Sequence, residues 1–202
     1  DGAVYVLVLP GSFVDPNRPL AKVTGDADEA MLERIAACFT IDDDRSFDQD
    51  PRFGLCVLAE VASRALSPGI NDPGTAIDVL GRGVRVLADW APRDDVRHDE
   101  IEPAKEAECK RVFVPALRSD DLFDDFFGPI ARDGAGLVEI QVKLQKALLI
   151  LAALGDAEME ESAVRQSRLA LARAETALVL EVERQTVRDL AAAFGVPAEK
   201  LA

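Results

Sequence analysis

The sequence predicts a mainly α (α+β) fold, a helical bundle with a β-hairpin at its front. Three observations predict it. The first 24 residues hold β-branched and aromatic runs separated by Pro- and Gly-bearing turns. Beyond Gly25 apolar residues recur three and four apart, the helical period. Capping residues and Pro or Gly then punctuate each helical stretch. The expected organisation is a hairpin element over 1–24 and a helical domain over 25–202, forming one compact unit.

Each element follows from its local chemistry. Ala3 to Leu9 reads as a strand, Pro10-Gly11 as a turn, and Leu20 to Val23 as a second short strand. Asp26 or Asp28 caps a helix to about Phe39, with Met31, Leu32, Ile35 and Ala36 on its apolar side. Ile41 to Asp50 is an aspartate-rich loop. A helix from Pro51 to Leu66 follows, with proline at its first position. Ser67 to Asp72 breaks it, and Asp72 caps the next helix, Pro73 to about Ala91. Residues 92–109 read as loop, and Arg111 to Leu117 as a strand or extended connector. Ser119 caps a short helix with Phe123, Phe126, Phe127 and Ile130 on one side. Leu137, Ile140, Leu144, Leu148 and Leu151 mark a further helix, broken at Gly155-Asp156. A long helical stretch, Glu158 to Phe194, bends partway and stops at Gly195-Val-Pro197.

Composition narrows the function classes. Among 202 residues there are 23 basic and 37 acidic side chains, a net charge of −14. Nucleic acid and anionic headgroups would repel such a chain, so neither is expected as a direct partner. No apolar run approaches the ~18 residues of a membrane span. The chain begins at Asp1 without an initiator Met and reads as a fragment of a longer protein. Cys38, Cys56 and Cys109 show no paired spacing and fit reduced, buried thiols. His98 is the single histidine, which disfavours a transition-metal site or a Ser/His/Asp triad. Phosphate-loop and dinucleotide motifs are absent, and no cofactor is expected.

The densest polar stretch runs from Arg45 through Thr75. On a helix Glu60, Ser63, Arg64 and Ser67 share one face, and the Ser67–Asp72 loop offers amides at a helix start. A small polar pocket of Arg45, Asp50, Glu60, Arg64, Ser67, Asn71, Asp72 and Thr75 is the candidate ligand site. Ordinary helix chemistry explains much of the same set: Glu60 with Arg64 as a helix ion pair, Asp72 with Thr75 as a cap, Asn71 as a turn residue. The aspartates at 42–44 and at 120, 121, 124 and 125 read as solvated faces; neither group matches a calcium loop.

The runs Arg45-Ser-Phe-Asp-Gln-Asp-Pro-Arg-Phe-Gly-Leu55 and Arg64-Ala-Leu-Ser-Pro-Gly-Ile-Asn-Asp-Pro-Gly-Thr-Ala76 resemble the central motif of a bacterial family of predicted membrane proteins, domain of unknown function 2254. Leu7 to Val14, with Pro19-Leu20, resembles the strand-turn-strand that precedes that motif. The resemblance implies a parent with several transmembrane helices in a bacterial inner membrane and this chain as its soluble, cytoplasm-facing domain. It carries no reaction. The opening hairpin also resembles half of a biotinyl/lipoyl-like barrel, without the modified lysine at a hairpin tip. Such an element serves as a pairing surface, so a homo-oligomer through the hairpin and helices is expected. The favoured reading is an assembly or ligand-sensing module of a channel- or transporter-like protein. The alternatives are an enzyme acting on a small anionic substrate in the 45–75 pocket and a stand-alone scaffold.

Overall fold

A computed structural model describes residues 2–91 and 110–194. The expected loop at 92–109, His98, Cys109 and the Gly195-Val-Pro197 stop lie outside the described residues. The chain sorts into two compact units, one holding residues 2–53 and 110–117 and the other residues 54–91 and 118–194.

In the first unit β1 (Ala3–Val6) pairs antiparallel with β2 (Ala21–Thr24), with Tyr5 opposite Lys22. The connector expected after Arg111 supplies a two-residue strand, β3 (Val112–Phe113), parallel to β1 on its other side. The order is β2-β1-β3, so β2 is an edge strand. Tyr5 and Phe113 stack on one face at 4.9 Å. Helix α1 (Glu29–Ala36) starts where Asp28 accepts the Met31 amide hydrogen at 2.8 Å. None of its residues is buried.

Helix α2 (Pro51–Ala65) begins in the first unit and continues in the second. The second unit is helical throughout: α3 (Pro73–Trp90), α4 (Ser119–Asp133), α5 (Val138–Ala152), α6 (Ala157–Ala177) and α7 (Glu181–Ala191). Helix α5 is central, touching α3, α4, α6 and α7. Its expected apolar residues Ile140, Leu144, Leu148 and Leu151 are fully buried, as are Phe123, Phe126, Phe127 and Ile130 of α4. Gly83 lets α3 approach the Phe126 ring so closely that a Cβ there would overlap it.

Four expectations are corrected. Ser119 does not cap α4: Arg118 holds the cap position without a side-chain bond, and the Ser119 amide donates instead to Glu158 at 2.9 Å. The expected short helix runs 15 residues, through Pro129. Cys38 is exposed rather than buried. The bend expected after Glu158 is a full break at 178–180, without Gly or Pro. Leu178 turns inward to join Ala174 and Val187 in a small core, and the Arg184 guanidinium donates to its carbonyl at 3.1 Å. Burial and a satisfied carbonyl thus end α6 where local propensity would continue it.

Arg188 locks the corner. It grips Glu175 through Nε at 2.5 Å and Nη2 at 2.7 Å, and reaches Glu181 at 2.6 Å. Hydrogen bonds from Arg188 hold both carboxylates below their ordinary range, with Arg184 adding to the effect at Glu181. Folded pKa values below the unfolded ones give stability that is present above the usual carboxylate range and lost as pH falls through the folded values. Thermal unfolding is therefore expected to be flat from neutral pH to about pH 5 and to fall below about pH 4.5. In Arg188→Ala the fall becomes shallower. An unchanged acid limb in that variant would remove the corner as its source.

Candidate functional site

The eight residues read as a site divide between the units, Arg45 and Asp50 in the first and the other six in the second. Asp50 is 3 % exposed, the one buried charged residue among those described. Its Oδ2 accepts from Arg45 Nε and Nη2, each at 2.7 Å, and its Oδ1 accepts the Phe53 amide hydrogen at 3.1 Å, capping α2. The Arg45 guanidinium lies 5.1 Å from the Phe53 ring centroid, and Phe47 stacks on that ring at 4.5 Å. Gly11 closes this knot from the hairpin turn. Its φ is +77°, and a Cβ there would collide with the Asp50 carboxylate and with Arg45 Nε. The turn glycine is needed both for its backbone conformation and for the room it leaves an ion pair.

Sequence reasoning identified Arg45 and Asp50 but not Gly11 as their partner. The signal was the Pro10-Gly11 turn, which fixes a bend without naming what packs against it. Gly11→Ala is expected to cost about 1–3 kcal/mol, through left-handed strain and displacement of the pair. A denaturation midpoint equal to that of the unaltered chain would contradict the knot.

In the second unit the helix-start chemistry is plain. The Asp72 amide donates to Ala65 O at 2.8 Å, and the Asn71 amide to Ser67 O at 2.9 Å, with Asn71 at φ 50°. Ser67 Oγ donates to Arg64 O at 2.6 Å. Asp72 accepts from Thr75 N at 3.1 Å and from Thr75 Oγ1 at 2.6 Å. The Thr75 hydroxyl, and then its amide, hold the Asp72 carboxyl below the usual range. Ser67, Asn71, Asp72 and Thr75 therefore build the α2–α3 corner. Glu60 and Arg64 are exposed and no ion pair joins them.

The aspartates of α4, read as a solvated face, are instead drawn to α6. Arg165 Nε meets Asp120 at 3.0 Å, and its Nη2 meets Asp124 at 2.9 Å. Ser162 donates to Asp120 at 2.9 Å, and Gln166 donates to Asp124. The Ser162 hydroxyl and then the Arg165 charge keep Asp120 low. Burial works against the Arg165 charge, yet the two aspartates outweigh it. Below this network Ser167 donates to Gln145 at 2.6 Å, and Gln145 donates to Ser167 O at 3.1 Å, both side chains buried. These groups join helices by hydrogen-bonding one another, an arrangement suited to fixing register, although the buried Gln166 Oε1 has no partner among the described residues. Among the described residues no three His, Cys, Asp or Glu side chains converge as metal ligands.

Fold and motif together define a helical domain led by a small sheet, with polar groups organised as caps and ties. The chain belongs to the family of predicted membrane proteins called DUF2254, whose family model matches residues 1–149. Uncharacterised proteins of Mycobacterium bovis and Mycobacterium tuberculosis are 51% identical to it over 59 residues. That stretch is 28% of this chain and 11% of each relative, so the match spans a small part of their length. No solved structure matches. Among the described residues no helix is long and apolar enough to cross a membrane.

Proposed function

We propose that this chain is the cytoplasm-facing, extramembrane domain of a multi-span bacterial inner-membrane protein, and that it works as an assembly module of a channel- or transporter-like parent. The supporting observation is the first unit's deficit of core. Among its described residues only Val8 and Asp50 are buried, while Phe13 is 88 % exposed and Ile41, Phe47, Phe113 and Val114 are exposed as well. A unit of this size ordinarily needs a buried apolar interior to offset its chain entropy. Its sheet also leaves β2 as an edge, with backbone groups available for pairing. A second copy of this chain meeting that unit supplies the missing burial.

Family membership supports the membrane attachment, and the net charge of −14 supports a position away from anionic headgroups. Ligand sensing at the 45–75 residues is the finer form of the same reading. An enzyme built there has less support: Asp50 is held by Arg45 and the Phe53 amide, Asp72 by Thr75, and Glu60 and Arg64 stand in solvent. A reporter fused to this domain in the intact parent tests its side of the membrane. Cytoplasmic fluorescence is expected, and activity of a periplasm-dependent reporter would contradict it.

A further inference from the structure

Helix α6 alone lines a shallow, open groove along its outer face, with Glu160, Glu161, Val164, Arg165, Arg168 and Leu169 in it. Arg165 in that wall already holds two carboxylates, Asp120 and Asp124. Glu160, Glu161 and Arg168 differ. All three are exposed, and their side chains make no ion pair or hydrogen bond. Leu169 is 42 % exposed beside them.

The charges are sorted along the helix, acids toward its N-terminal end and Arg168 toward the middle. The macrodipole accounts for acids in the first turn, Glu158 and Glu160. It does not reach Arg168, which is well clear of either end, and it does not explain the half-buried Val164 set between unpaired opposite charges. An acidic peptide in the groove would face Glu160 and Glu161, and a basic one would face Arg168. A surface carrying both signs in the same order is matched by its own copy, reversed.

We propose that this face is an isologous interface, in which α6 of a second copy of this chain lies antiparallel in the groove. At 1.5 Å rise per residue, Glu161 and Arg168 stand about 10 Å apart along one helix face. A two-fold axis midway between them, beside Val164, sets Glu161 of each copy against Arg168 of the other. Val164 then lies at the centre between the two ion pairs, and Leu169 flanks each pair on its outer side. The inference rests on the assembly reading and names a second surface for it, separate from the sheet edge.

Sedimentation velocity of the full 202-residue chain across a concentration series tests it. Arg168→Glu and Glu161→Arg are each expected to weaken self-association by about tenfold or more, since each sets two like-charged pairs at the interface. The double variant exchanges the signs and is expected to recover association to near that of the unaltered chain. Both side chains are exposed, so the melting temperatures of the three variants should stay together. Association in the unaltered chain should also loosen with added salt. Single variants that associate normally, or a double variant no better than the singles, would overturn the interface while leaving assembly through the sheet standing. An unaltered chain that stays monomeric at every concentration would overturn the interface, and the assembly reading falls with it if the intact parent is monomeric too.

Discussion

Phe126→Ala is expected to destabilise the helical unit by about 3–5 kcal/mol, the range for removing a large aromatic side chain from a packed interior. Phe126 is fully buried, meets Phe127 edge-on at 4.8 Å, and lies against the Gly83 backbone of α3. Its removal opens a cavity walled by helices that α5 already holds in place, so collapse into the space is limited. Urea denaturation followed by circular dichroism measures the change. Phe13→Ala is the control, because that ring is 88 % exposed and buries almost nothing. Similar midpoints for the two variants would mean that α3 and α4 do not pack as described.

The second large effect is Gly83→Ala. In an open helix position, replacing Gly by Ala stabilises by roughly 0.5–1 kcal/mol through propensity alone. Gly81, on the same helix with nothing within 4 Å of an added Cβ, should show that gain. At Gly83 the added methyl would land on the Phe126 ring, which its own neighbours hold in place. Overpacking of this kind costs about 1–3 kcal/mol and outweighs the propensity gain. Opposite signs are thus expected two residues apart. Combining Gly83→Ala with Phe126→Leu should cost less than the sum of the single changes, since the smaller side chain relieves the collision. Additive costs would place the Gly83 effect elsewhere.

What the sequence made legible was what local chemistry decides. Pro51 at a helix start, Asp72 with Thr75 at the next, and the three-and-four spacing of α5 each act within one or two turns, and each stands where it was expected. What stayed hidden depends on residues that meet only in the folded chain. Asp120 reads as one acid in an acidic run until Arg165 and Ser162 arrive from α6. The end of α6 at Ala177 follows from Leu178 finding Ala174 and Val187, with no breaking residue in the sequence to announce it. Glu60 and Arg64, spaced for a helix ion pair, form none, because spacing permits such a pair without securing it.

The candidate site shows the same limit. The motif from Arg45 to Thr75 is continuous in sequence, yet its residues serve two separate structural ends. Arg45, Asp50 and Phe53 form a knot closed by Gly11, and Ser67, Asn71, Asp72 and Thr75 form the α2–α3 corner. Both are compact solutions to buried or turn-exposed polar groups.

The most direct test of the assembly account is the mass of the 202-residue chain in solution, by light scattering over a wide concentration range. The account predicts a mass that climbs with concentration to a multiple of 21.8 kDa. A mass fixed at 21.8 kDa at the highest attainable concentration, with the intact parent also monomeric, would contradict it.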